Sequence, residues 1–393
     1  MPAISRTPNR VAEVATVFLR LGFTAFGGPA AHIAMMRQEV VTKRAWLSDE
    51  EFVELMGMTN LIPGPNSTQL GIHLGYRRAG APGLIVAGVC FIVPAMLIVM
   101  ALAWCYVRFG TLPASRGLLY GMKPVVVPIV LQALFGLAKP TIKSPMTALT
   151  GLTVLALSAF AVVGELWLVF LPGLAFALAS LKTHKPESAS IKRLTLIVIL
   201  ILAFVVVSFG LASFAVTNSP YSLGSLFILF LKVGSVLYGS GFVLLSYLNT
   251  DLVSRLGWLT KGQLLDAVAV GQFTPGPVFT TATFIGFLLG GIRGALVATL
   301  GIFLPSFFLV AASAKWLQGL KSSPTSQAFM VGVNAASIGL MGAALIKLGQ
   351  AALVDAVSVA ISVVSVVILL RFKINSAWLV LAGAIIGLIC LPH

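Results

Sequence analysis

Two Pro-Gly-Pro tripeptides, Pro63-Gly64-Pro65 and Pro275-Gly276-Pro277, stand 212 residues apart, each at the edge of an apolar stretch. Proline removes a helix donor and glycine admits dihedrals closed to other residues, so a helix stops there. Proline also suits the first position of the helix that resumes. The next residues are Asn66-Ser67-Thr68-Gln69 in one place and Val278-Phe279-Thr280-Thr281 in the other. Free N–H groups at a helix start, with hydroxyls beside them, form a ready anion site. Gly27-Gly28-Pro29 and Gly239-Ser240-Gly241 offer two further helix starts. Each N-terminus carries about half a positive charge, so four converging would complement a dianion. That sum holds only if the helix C-termini at the same breaks face away.

Charged residues repeat at the same offset. Arg20 and Lys232 are equivalent positions on apolar helices. From a helix start near Val11, Arg20 would lie about 13 Å deep, near the middle of a core about 30 Å thick. An intramembrane cation is a functional candidate by default, unless it snorkels or pairs with a carboxylate such as Glu13 or Glu39. Lys123 is a third deep cation whose counterpart is Asn334. Glu54 and Asp266 are equivalent acids and candidate proton carriers. Ser48 with Glu51 reads as a capping box, repeated by Thr260 with Gln263. His32 comes directly after the first break and is a candidate for lining the site or coupling protons; His73 reads as structural. There is no metal-ligand spacing, no nucleotide-binding sequence and no nucleophile–base pairing. The chain reads as a non-enzyme without cofactor.

These residues need elements to hold them. The chain is 58% hydrophobic and 9% charged, with mean hydropathy +1.02. That excludes a soluble domain and points to spanning helices. The net charge of +15 lies mostly between apolar runs, where it signals topology and not nucleic-acid binding. The expected fold is an all-α polytopic membrane protein built of two repeats, residues 1–181 and 218–393. Four strong spans are expected in each: Pro82–Val107, Gly117–Ala138, Met146–Val163 and Glu165–Leu181, then Ile292–Leu317, Thr325–Leu348, Ala351–Arg371 and Ser376–Leu391. A basic linker and one further span, Leu194–Val216, fill residues 182–217 and would invert the second copy. The positive residues place the N-terminus and linker in the cytoplasm. Two re-entrant hairpins, breaking at Gly27-Gly28-Pro29 and Pro63-Gly64-Pro65, keep Arg37, Lys43 and Arg44 on that face; the alternative is two full crossings. Apolar stretches broken alike in two copies point to a transporter with its site between the repeats.

Phe26-Gly27-Gly28-Pro29-Ala30-Ala31-His32, Trp46-Leu47, Pro63-Gly64-Pro65-Asn66-Ser67 and Gly75-Tyr76-Arg77-Arg78-Ala79-Gly80 resemble the chromate ion transporter family. In the second copy the matches are Tyr238-Gly239-Ser240-Gly241 and Phe273-Thr274-Pro275-Gly276-Pro277. The resemblance spans nearly the whole chain and implies the two-domain form found in bacterial inner membranes, with chromate efflux and chromate resistance. The second copy lacks the proline after the glycines and the histidine, so the two breaks are expected to do different work. The expectation is a secondary transporter exporting a tetrahedral oxyanion, driven by membrane potential, a proton gradient or both. Sulfate is a competitor of the same shape and charge, and its uptake is the alternative. An anion channel and an intramembrane enzyme rank below. A homodimer is one open oligomeric option.

Overall fold

The structure is a computed structural model describing residues 10–26, 28–59, 62–109, 113–160, 165–183, 221–237, 243–313, 324–372 and 376–390. Gly27, Gly239, Ser240, Gly241, the linker from residue 184, the expected span Leu194–Val216 and the Glu54 side chain lie outside what it describes. Every regular element among the described residues is helical. The first copy holds α1 (Arg10–Thr24), α2 (Gly28–Arg37), α3 (Asp49–Thr59), α4 (Asn66–Phe109), α5 (Pro113–Thr141), α6 (Pro145–Ala159) and α7 (Glu165–Thr183). The second holds α8 (Leu223–Val236), α9 (Val243–Leu248), α10 (Lys261–Phe273), α11 (Thr281–Ser313), α12 (Pro324–Ala352), α13 (Ala356–Phe372) and α14 (Ser376–Cys390). Among the described residues, four helical stretches are long and apolar enough to cross a membrane: Asn66–Phe109, Gly117–Lys139, Val278–Ala312 and Gln327–Ala352. Large apolar side chains such as Leu97, Leu149, Leu296 and Phe308 lie exposed along the helices, as a lipid-facing surface requires.

α4 and α11 each fold back on themselves. Ala79-Gly80 and Gly290-Gly291 leave helical dihedrals, and Gly80 and Gly291 take φ of +64° and +59°. A straight helix would put Gly75 about 12 Å from Gly83. Here a Cβ on Gly75 would collide with the Gly83 carbonyl, and one on Gly286 with the Gly294 carbonyl. Each helix is therefore a short leg, a glycine turn and a long leg, with glycines letting the legs touch.

Ion pairs close the chain ends of the first copy onto one rim. Glu51 on α3 meets Arg77 at the end of the short leg of α4, at 2.9 Å. Glu13 on α1 meets Arg78 at 2.6 Å and accepts from Trp46 Nε1 at 2.9 Å. Arg37 meets Asp49 at 2.6 Å. The paths α1–α2 and α3–α4 thus enter from this rim and return to it, with their breaks at the far end. Both expected capping boxes form, Ser48 with Glu51 and Thr260 with Gln263.

The remaining helices are exchanged between copies. α5 packs on α13 and α14 of the second copy, and α12 packs on α6 and α7 of the first. Gly121 lies against Gly383, and its counterpart Gly332 against Pro172 and Gly173.

Candidate anion site

The breaks of the two copies meet. Pro29, Pro65, Asn66, Ser67, Pro277, Val278 and Phe279 line one narrow cavity of about 10 Å³, room for about one water molecule. The copies hold each other there by reciprocal backbone bonds. Gly64 N–H donates to the Leu237 carbonyl at 2.6 Å, and its equivalent Gly276 N–H donates to the Ala25 carbonyl at 2.8 Å. Ala25 and Leu237 are themselves equivalent. Both glycines have positive φ, +130° and +81°. A Cβ on Gly276 would collide with Ala95, and one on Gly64 with Gln69 and Ser306.

The donors differ between copies. α4 begins at Asn66, directly after Pro65, so its first N–H groups have no helical acceptor. Ser67 Oγ lies 3.3 Å from His32 Nδ1, and His32 stands edge-on to Phe91. Thr68 and Gln69 are fully buried. The Thr68 hydroxyl has no hydrogen-bond partner among the described residues, a state that calls for an explanation. Gln69 Nε2 donates to the Pro63 carbonyl at 2.5 Å, which holds the break shut. In the second copy Thr280 donates to the Pro277 carbonyl and Thr281 to the Val278 carbonyl, both at 2.8 Å. Their protons are spent on their own turn, and the cavity wall there is Val278 and Phe279.

Arg20 and Lys232 do not line this cavity. Arg20 meets Glu39 at 3.8 Å with its side chain 63% exposed, and Lys43 meets the same carboxylate at 2.6 Å. Lys232 meets Asp251 at 3.0 Å with both side chains under 10% exposed, and Arg255 meets Asp251 at 3.0 Å. The triads Arg20–Glu39–Lys43 and Lys232–Asp251–Arg255 are equivalent residue by residue. In each, the acid and the second cation sit on a π-helical turn, Gln38–Lys43 and Asn249–Arg255. Asp266 is buried, meets Lys123 at 3.1 Å and accepts from Tyr106 at 2.9 Å. His73 is buried on the short leg of α4, and Nε2 has no hydrogen-bond partner among the described residues.

Sequence reasoning placed Thr68 and Gln69 at the break without giving either its own role, and it missed Tyr106 as a partner of Asp266. Thr68 and Gln69 come directly after Ser67, so the break itself was the signal. Nothing local marks Tyr106, which reaches Asp266 across 160 positions.

A family model described as chromate transporter matches residues 12–179 and again 224–388. The chain belongs to the chromate transporter family. It is 33% identical to the chromate transport protein of Cupriavidus metallidurans, over 97% of this chain and 93% of that one. It is 31% identical to the probable chromate transport protein of Synechococcus elongatus (96% and 95% covered) and 30% to the chromate transport protein of Pseudomonas aeruginosa (96% and 91%). No solved structure matches the chain. Membership in this transporter family, with the apolar helices above, makes the chain a multi-pass membrane protein.

Proposed function

We propose that this protein is a secondary transporter that exports chromate from the bacterial cytoplasm across the inner membrane and so confers chromate resistance. The observation that carries the site is the meeting of Pro29, Pro65-Asn66-Ser67 and Pro277-Val278-Phe279, from both copies, around one cavity. The helix start at Asn66 and the Ser67 and Thr68 hydroxyls supply donors to the oxyanion. The cavity is too small for a tetrahedral dianion in this conformation, so binding requires the copies to part. In an inverted arrangement the charged rim of the first copy faces the cytoplasm, α1–α2 and α3–α4 are re-entrant, and rocking of one helix set against the other gives alternating access.

Moving one charge through 100 mV is worth about 2.3 kcal/mol, so exporting a dianion down an inside-negative potential gains about twice that. The test uses inside-out vesicles holding the protein, an imposed inside-positive potential and external chromate. Uptake driven by potential alone is the expected result. Uptake only with an added pH gradient would make proton coupling obligatory and turn attention to Glu54, Asp266 and His32. No uptake under either condition would overturn the reading.

A further inference from the structure

A second cavity, of about 450 Å³, lies between α9–α10 of one helix set and α6 and α12 of the other. Its polar lining is Ser246, Asn249, Ser254, Lys261, Lys347 and Gln350, and no carboxylate lines it among the described residues. The first copy shows what these positions hold elsewhere. Asn249 and Lys261 are equivalent to Arg37 and Asp49, which pair with each other at 2.6 Å. Exchanging that cation for an amide and that acid for a lysine removes the internal pair and leaves a positive charge at the wall. Lys347 adds a second. Its ammonium reaches the Ser158 carbonyl at a long 3.5 Å, and its counterpart in the first copy is Gly136. The acids that flank the lining in sequence are engaged: Asp251 by Lys232 and Arg255, Asp266 by Lys123 and Tyr106, and Asp355 by Tyr120 and Ser358.

We infer that this cavity is a second anion site, a vestibule in which Lys261 and Lys347 hold a tetrahedral oxyanion while Asn249, Ser246 and Gln350 complete its hydrogen bonds. The class of anion rests on the function proposed above; the unbalanced cations do not. α6 starts beside Lys143, on the face read as cytoplasmic, and ends at Ala159 in this cavity. The vestibule therefore opens on the opposite, outer face, where an exported anion leaves. Two cations in a partly enclosed wall raise the local anion concentration at the exit, so sulfate from outside competes for the same place.

The test is equilibrium dialysis of chromate, and separately of radiolabelled sulfate, against the full chain in lipid nanodiscs. The wild-type chain is expected to hold two anions. K261Q/K347Q should hold one, and K347Q alone should weaken the second site about tenfold, the loss of one charge-assisted hydrogen bond. N249R/K261D, which installs the ion pair of the first copy, should also hold one while keeping the local charges matched, and so guards against misfolding of the lysine variants. A wild type holding one anion, lost in K261Q/K347Q and kept in S67A/T68A, would support the vestibule while sinking the site at the breaks. Unchanged number and affinity in both K261Q/K347Q and N249R/K261D would overturn the vestibule. So would failure of the wild type to retain either anion at millimolar concentration.

Discussion

At the scale of single residues, equivalence in sequence hides inequality in environment. Arg20 and Lys232 were legible as a matched pair because offset and residue class agree. Their carboxylates, Glu39 and Asp251, are matched at the same offset, yet burial separates the two pairs. Lys232 and Asp251 are nearly sealed from solvent, whereas Arg20 is largely exposed. Removing one partner of a buried pair leaves an uncompensated charge, at a cost of about 3 kcal/mol; an exposed pair is worth about 1 kcal/mol or less. Asp251→Asn, which takes the carboxylate away from the buried Lys232, should therefore lower the melting temperature markedly and Arg20→Met little, with K232M/D251N recovering part of the loss. Equal shifts would show that burial is not what distinguishes them. The hydroxyls diverge in the same way. Ser67→Ala should weaken chromate binding about tenfold, the loss of one hydrogen bond to a charged group. Thr280→Val should change it little, because the Thr280 proton already belongs to Pro277. A larger loss in Thr280→Val would move the site toward the second copy.

At the scale of elements, most helix boundaries were legible. Spans expected to start at Pro82 and Ile292 start one residue after the glycine turns, at 81 and 292. What was not legible is that α4 and α11 double back there. Arg77-Arg78-Ala79-Gly80 carries a strong charge signal, and charge reports which face a segment lies on, not the angle at which the chain leaves it. The turn depends on contacts eight and twelve positions away, Gly75 with Gly83 and Ala87, which no local pattern encodes. Gly80 and Gly291 have open space where a Cβ would go, so the cost of substitution is backbone strain alone, about 1–3 kcal/mol. Gly80→Ala and Gly291→Ala should each lower thermal stability by that amount. Gly136→Ala and Gly349→Ala, in ordinary helical conformation with no atom within reach, should be neutral or slightly stabilising. If all four behaved alike, the positive φ at the turns would not be the reason glycine stands there.

At the scale of the molecule, the sequence shows two copies but cannot show that they exchange partners, because Gly64–Leu237 and Gly276–Ala25 join positions far apart in the chain. Their packing is also unequal. α10 of the second copy packs on α5 and α14, and α9 packs on α12, while the equivalent α3 and α2 make no comparable packing among the described residues. The alternating access proposed above requires a second state, and the unequal packing of the two copies suggests the one in which they trade roles. In the present state Lys123 on α5 meets Asp266 on α10 at 3.1 Å. The equivalents are Asn334 on α12 and Glu54 on α3, so trading roles separates the first pair and brings residues 334 and 54 together. Both states can be trapped in a chain whose Cys90, Cys105 and Cys390 are replaced by serine. K123C/D266C should oxidise readily and stop chromate transport until reduced. E54C/N334C should cross-link slowly at rest and faster during turnover, and adding Lys123→Gln, which frees Asp266, should speed it further. Transport that proceeds while residues 54 and 334 never cross-link would mean that the inequality of the copies is permanent and the anion crosses by another motion.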